Sequence, residues 1–188
     1  AQVQALLKKA SGLDISTICP LHGPVLTENL SYYINLYDIW SSYRWETEGV
    51  SIFYTSVYGN TKEAAELLKS EIEKFGNTKV CITDLARSDM AENVEDAFRY
   101  GKMVLATTTY NADIFPFMKE FLEHLTERNY QKRTIGIIEN GSWMPMAAKV
   151  IKKHLEHSKE ITYLPTTVTI QSALNEASEA QLDQLAQE

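Results

Sequence analysis

From residue 50 onward the chain alternates between two hydrophobic periods. Short β-branched and apolar runs, such as Val50-Ser51-Ile52-Phe53-Tyr54, give way to segments whose apolar residues recur every three or four positions. The pattern predicts strands over 50–55, 79–85, 102–108, 133–139 and 160–170, and helices over 62–75, 94–100, 114–127, 145–157 and 175–187. Five strands alternating with five helices predict an α/β fold, a doubly wound five-stranded parallel sheet with helices on both faces. The runs Met103-Val104-Leu105-Ala106 and Ile135-Gly136-Ile137-Ile138 suit central strands covered on both sides.

The first 49 residues follow another pattern. Val3, Leu6, Leu7 and Ala10 stand at helical spacing, and Gly12 ends the run. A short apolar stretch over 14–26 closes with His22-Gly23-Pro24, and a Tyr- and Trp-rich helix follows over 27–44, with Thr27 as its expected cap. Residues 46–49 read as a polar joint, which puts the expected boundary between 1–49, a short helical and strand appendage, and 50–188, the main domain. The chain opens on Ala1 inside a helical pattern, as a piece of something longer would.

Composition narrows the partners. A net charge of −7 disfavours nucleic acid and anionic membrane surfaces, which call for clustered Lys and Arg, and suits a basic redox partner. No apolar run reaches the roughly 20 residues of a membrane span, and nothing like a signal peptide opens the sequence, so the expected compartment is the cytoplasm. Cys19 and Cys81 lie in unrelated apolar segments, without C-x-x-C spacing, and are expected as buried free thiols.

The chemistry concentrates at the ends of the predicted strands. Thr55-Ser56-Val57-Tyr58-Gly59-Asn60-Thr61 joins strand one to the next helix. Such a turn aims backbone N–H groups, hydroxyls and the positive helix end at one place. Neither G-x-x-x-x-G-K-[ST] nor G-x-G-x-x-G is present, so the turn suits one terminal monophosphate rather than a triphosphate or a dinucleotide. After strand three come Thr107, Thr108, Thr109, Tyr110 and Asn111. After strand four come Asn140, Gly141, Ser142 and Trp143. Tyr110 and Trp143 can stack on a flat ring, while the hydroxyls and amides can meet its polar edge. Asp113 and Glu139 are candidate carboxylates near such a ring.

Ser56-x-Tyr58-Gly59-Asn60-Thr61 resembles the T/S-x-T-G-N-T loop with which flavodoxins hold the phosphate of FMN, with Tyr58 in place of the usual threonine. The resemblance implies a flavodoxin-like fold and an electron-transfer role, in which carboxylates beside the flavin would lower its second potential. Cys19-Pro20-Leu21-His22-Gly23-Pro24, followed by an aromatic helix and then this unit, resembles the junction in flavodiiron proteins, where a metallo-β-lactamase-like domain precedes the flavodoxin-like one. That resemblance implies that 1–49 is the end of such a domain plus a linker helix, and that His22 is a ligand of a di-iron centre present only in the intact protein. It implies a rubredoxin-like or flavoprotein electron donor, a homodimer when intact, and O₂ or NO as the final acceptor. The other ligands of the centre, in an H-x-E-x-D-H motif, do not occur in these residues.

Two other readings stand beside it. A self-standing flavodoxin or quinone-reductase-like flavoprotein would begin at its first strand, without 1–49. A flavin-free receiver-like domain would carry an acidic pair after strand one and a phosphorylatable Asp after strand three, where this chain has Ser56 and Thr107-Thr108-Thr109. No Ser-His-Asp set converges on these loops. His154 and His157, among Lys152, Lys153 and Glu156, read as a solvated helix end, and His124 beside Glu120 and Glu123 as a surface residue.

Overall fold

The computed structural model describes residues 2–188; Ala1, where the expected appendage begins, lies outside them. The chain divides into two compact units, Ala1–Glu46 and Thr47–Glu188.

In the smaller unit, α1 (Gln2–Ala10) and α2 (Leu30–Ser41) carry the aromatic and aliphatic residues foreseen for them, yet no residue described in this unit is buried. Gln4 ties the helices together by donating to the Asp38 carboxylate and the Ser41 hydroxyl, each at 2.8 Å. An antiparallel bridge between Ile18 and Leu26 closes the loop that carries His22. Helix α2 starts later than its pattern suggested: Asn29, not Thr27, is the N-cap, in the left-handed conformation that asparagine tolerates.

The larger unit is built on β1 (Thr47–Tyr54), β2 (Val80–Asp84), β3 (Tyr100–Tyr110), β4 (Asp113–Ile114), β5 (Arg133–Asn140) and β6 (Ile161–Ile170). Five of these are parallel, in the order β2-β1-β3-β5-β6, and β4 pairs antiparallel with the end of β3. This is a flavodoxin-like α/β fold. Helices α3 (Asn60–Lys74), α4 (Met90–Arg99), α5 (Pro116–Glu127) and α6 (Ala147–His154) supply the four crossovers, and α7 (Glu176–Gln187) follows the last strand.

Alternation along the strands builds two cores. Phe53, Met103, Leu105, Ile135 and Ile137 point to the face covered by α4, α5 and α6, against Met118, Phe121 and Ile151. Val50, Ile52, Val104, Ala106 and Ile138 point to the face covered by α3 and α7, against Leu68 and Leu182. Both faces of the central strands are therefore dry, as their continuous apolar runs required. A Cβ on Gly136 would stand 3.2–3.4 Å from Leu185, Val104 and Leu164, so the bare backbone there lets α7 approach β5.

Several boundaries moved: α4 starts at Met90, behind the Asp89 cap, rather than at 94, and ends before Tyr100, which belongs to β3. Two others moved for reasons of close approach and turn geometry. Residues 47–49 of the expected joint belong to β1, with a register shift between Thr47 and Val50. At Gly49 (φ +153°) a Cβ would meet the Lys79 carbonyl at 2.4 Å, so this close approach needs glycine. After β3 the chain turns back through Asn111 (φ 51°) and Ala112 (φ 59°), a two-residue hairpin loop with both central residues left-handed. Helix α5 accordingly starts at Pro116, a residue suited to a first helical position, rather than at 114.

The cysteines are also placed differently from expectation. Cys19 is exposed, and Cys81 is half-buried on the edge strand β2, with its Sγ 3.7 Å from the Thr83 hydroxyl and the Asp96 carboxylate. Apolar neighbours in sequence do not bury a side chain on an edge strand or in a loop.

Candidate functional site

The strand order reverses between β1 and β3, and an open parallel sheet leaves its ligand crevice at the carboxyl ends of the strands there. A cleft of about 260 Å³ opens at this place. Ser56, Val57 and Tyr58 line it from the turn after β1, and Asn60 and Thr61 from the start of α3; Thr108, Thr109 and Tyr110 from the end of β3; Asn140, Gly141 and Ser142 from the end of β5 and the turn beyond it. Ser172, after β6, completes the wall. The sequence offered no cue for Ser172, because it reaches the cleft only through the pairing of β6 with β5.

The remaining candidates stand elsewhere. Thr55 and Thr107 are fully buried and hydrogen-bonded to each other. Gly59 is the N-cap of α3, with φ +99°. Asn111 forms the hairpin turn, and Trp143 is 96% exposed at the tip of its loop. His22 lies exposed in its turn. Among the described residues no group of three or more His, Cys, Asp or Glu is arranged to hold a metal ion. His124 lies 3.8 Å from Glu120 and 3.6 Å from Glu127, and His157, 93% exposed, lies 3.5 Å from Glu156.

The cleft is electrostatically one-sided, although no charged side chain lines it. Helices α4 and α7 are capped by the side chains of Asp89 and Asn175, whereas α3 begins at a glycine with no side-chain cap. The first-turn N–H groups of α3, and the positive end of its dipole, are thus directed to the cleft residues Asn60 and Thr61. The hydroxyls reinforce this. Ser56 Oγ accepts from Gly59 N–H at 3.1 Å, Thr61 Oγ1 from Asn140 Nδ2 at 3.3 Å, and Thr109 Oγ1 from Met146 N–H at 3.0 Å. A hydroxyl that accepts one bond still has its proton to give, so all three can donate into the cleft. Thr108 Oγ1 is buried with no partner within the protein, a costly state that a ligand's polar edge relieves.

The loop after β5 has a firm base. Gly141 N–H donates to the Ile170 carbonyl at 3.0 Å, and a Cβ on Gly141 would stand 3.0 Å from Pro145 Cα and 3.2 Å from Thr109 Oγ1. Tyr110 packs edge-on against Phe115 at 5.4 Å, which orients its half-exposed ring beside the cleft.

Asp113 and Glu139 do not line the cleft, contrary to expectation. Glu139 is buried and occupied: Oε2 accepts from Ala148 N–H at 2.9 Å, in the first turn of α6, and Oε1 from the Thr169 hydroxyl at 3.1 Å. Asp113 accepts from Lys119 at 2.9 Å and from Ile114 N–H at 2.8 Å, and these two bonds hold its carboxyl below the usual range. Each carboxylate found a nearer donor in the helix that follows its strand.

A larger cavity of about 450 Å³ opens at the amino ends of the strands, bounded by Val50, Lys79, Lys102 and Thr134 and by the last turns of α3 and α7. Helix carboxyl ends present carbonyls there rather than donors. The smaller cleft is therefore the candidate site for an anionic ligand.

Comparison with known proteins matches residues 51–179 to the family described as flavodoxin domain. The anaerobic nitric oxide reductase flavorubredoxin of Enterobacter sp. (strain 638) is 24% identical over 145 residues, which cover 77% of this chain and 30% of that protein. Rubredoxin oxygen:oxidoreductase from Desulfovibrio gigas shares the fold with a TM-score of 0.87 at 20% identity, over 99% of this chain and 47% of that one. Oxidised flavodoxin 1 from Bacillus cereus superposes with a TM-score of 0.64 at 14% identity, over 75% of this chain and 95% of that one. This chain thus spans about a third of the curated relatives it matches and under half of the larger structural neighbours. Among the described residues no helix is long and apolar enough to cross a membrane.

Proposed function

The chain belongs to the flavodoxin domain family, and from that premise we propose that it binds FMN in the cleft at the ends of β1, β3 and β5 and serves as the electron-transfer module of a flavodiiron-type oxidoreductase. The observation that carries this reading is the convergence of donors. The uncapped start of α3 and the protons of Ser56, Thr61 and Thr109 meet in one cleft with no cation. Such a site takes a phosphate through dipoles, as flavin monophosphate requires and riboflavin does not.

When bound, FMN supplies reversible electron transfer; the chain supplies binding, orientation and access. On this reading α3, the Ser56 turn and the Thr109 hydroxyl hold the phosphate, and Thr108 meets the ring's polar edge. Tyr110 and Trp143 cover a ring face, with Gly59, Asn60 and Val57 shaping the phosphate turn. Thr55, Thr107 and Asn111 support the loops without touching the cofactor.

The names of the relatives, one a nitric oxide reductase and one an oxygen reductase, favour a flavodiiron partner for this module. His22 would then be one ligand of a di-iron centre whose other ligands lie outside these 188 residues, and 1–49 the end of a metallo-β-lactamase-like domain. A rubredoxin-like or flavoprotein donor, a homodimeric assembly and a cytoplasmic location complete the proposal. The match to a free-standing flavodoxin leaves about a quarter of the chain uncovered, which favours the larger assembly.

The test is titration of the purified chain with FMN and with riboflavin, read by quenching of flavin fluorescence. One FMN per chain is expected, with riboflavin weaker by about tenfold to a hundredfold for each charge-assisted bond lost. Equal affinity for the two flavins, or no binding, would remove the proposal.

A further inference from the structure

Asn140 differs from the other polar residues of the cleft because its amide is committed before any ligand arrives. Ser172 N–H donates to Asn140 Oδ1 at 3.0 Å, and the Ser172 carbonyl accepts from Asn140 Nδ2 at 3.0 Å. A backbone N–H only donates and a carbonyl only accepts, so this pair fixes the orientation of the amide; turning it over would lose both bonds. The second hydrogen on Nδ2 is then available for Thr61, and it donates to Oγ1 at 3.3 Å. Both side chains are almost fully buried, Asn140 at 5% and Thr61 at 1% exposure. Three segments distant in sequence, the first turn of α3, the end of β5 and the turn after β6, are joined through one side chain.

The consequence falls on the Thr61 proton. A threonine hydroxyl can accept from one neighbour and donate to another, and alone it would adapt to a carbonyl as readily as to an anion. With Asn140 donating to one lone pair of its oxygen, Thr61 keeps its proton and a single lone pair, so the amide weights the hydroxyl toward donating into the cleft. Its place in the first turn of α3 points that donor to where the helix dipole also favours negative charge. We propose, resting on the reading of this cleft as an FMN site, that Asn140 is a positioning residue that favours a phosphate by occupying one lone pair of Thr61 Oγ1 and so weighting that hydroxyl toward donation, with Ser172 as the backbone lock that keeps the amide in that orientation.

Replacement by aspartate reverses the polarity. In Asn140→Asp the oxygen facing Thr61 accepts that proton, a second oxygen faces the Ser172 carbonyl, and a negative charge stands beside the phosphate. Asn140→Ala removes the fixing bond without adding charge, and Thr61→Val removes the hydroxyl itself while keeping its shape. The experiment measures FMN and riboflavin dissociation constants for the wild type, the three single variants and Asn140→Ala/Thr61→Val. Far-UV circular dichroism and a urea midpoint establish that each variant is folded.

The preference for FMN over riboflavin should fall by about tenfold in Asn140→Ala and Thr61→Val, and further in Asn140→Asp, with riboflavin affinity changed by less than about threefold. The double variant should lose no more than Thr61→Val alone, because the two residues act through one proton. Should Asn140→Asp fail to fold, the alanine and valine cycle decides. Parallel losses of both flavins, or additive losses in the double variant, would reduce Asn140 to a structural tie and overturn the inference. A wild type without preference for FMN would instead refute the phosphate reading, and the inference with it.

Discussion

Thr55 and Thr107 share a hydrogen bond of 2.6 Å between their hydroxyls, with both side chains wholly inaccessible to solvent. The pair joins β3 to the residue following β1, the two strands between which the cleft opens, while Thr55 N–H donates to the Ala106 carbonyl at 2.9 Å. Residues that from their sequence neighbours looked like ligand contacts are here a strut between strands. Replacing Thr55 with Val leaves the Thr107 hydroxyl buried and unpaired, so stability should fall by about 1–3 kcal/mol. The double replacement of both threonines by valine should recover most of that loss, with FMN affinity unchanged throughout. Urea unfolding and flavin titration of the three variants check this, and an FMN affinity that drops in Thr55→Val would show that its hydroxyl reaches the ligand after all.

Arg133 holds together the opposite end of the sheet. Its guanidinium donates to the carbonyls of Tyr100 at 2.9 Å and Phe98 at 2.6 Å and lies 5.8 Å from the centre of the Tyr130 ring. Burial lowers its pKa, yet an arginine stays charged at any ordinary pH. Arg133→Met leaves these carbonyls without their donor and should destabilise the domain by about 2–4 kcal/mol. Arg133→Lys should recover only part, since one ammonium does not reproduce a planar fork. A denaturant midpoint for Arg133→Met equal to the wild type would show that the carbonyls are otherwise satisfied.

Much of this was legible because the strong signals were local. The continuous runs in β3 and β5 can only be central strands, and a strand followed by Ser56-x-Tyr58-Gly59-Asn60-Thr61 and a helical pattern can only put those residues at the carboxyl edge of the sheet. The features that escaped depend on contacts distant in sequence or on ambiguous local chemistry. Ser172 enters the cleft through strand pairing 32 residues away from Asn140. The hairpin to β4 turns on Ala112, a residue that carries no turn signal and adopts a left-handed conformation under tertiary constraint. Glu139 was a reasonable neighbour for a ligand until Ala148 N–H and the Thr169 hydroxyl took both of its oxygens.

Asp113 offers a test by pH. Its carboxyl is held below the usual range, first by the bond from Lys119 and then by that from Ile114 N–H. A carboxylate with a depressed folded-state pKa stabilises fully above its unfolded value, about 3.9, and that contribution fades as pH falls through the lower folded value. Asp113→Asn keeps an oxygen for Ile114 and removes the charge. The stability gap between wild type and variant, read from urea midpoints, should therefore be constant from pH 7 to pH 5 and shrink as pH drops below about 4. A gap that widens on acidification would contradict the assignment. Both side chains are more than a third exposed, at 38% and 42%, so the effect should be small and weakened by salt.

Trp143 separates a cofactor contact from a packing residue. At 96% exposure the indole contributes almost nothing to the core, so Trp143→Ala should change stability by no more than about 0.5 kcal/mol. The loop beneath it stays in place regardless, because Met146 N–H bonds to Thr109 Oγ1, Ala148 N–H to Glu139 and Gly141 N–H to Ile170. Trp143 follows Ser142, which lines the cleft, so its exposed indole has room to meet a ring bound there. If that ring is the flavin, stacking adds about 0.5–1.5 kcal/mol, so the variant should bind FMN roughly two- to tenfold more weakly. The emission of the bound flavin should rise once its quencher is gone. Unchanged affinity and emission in a folded Trp143→Ala would show that the indole does not cover the flavin, leaving Tyr110 as the aromatic side chain of the cleft best placed to stack on the ring.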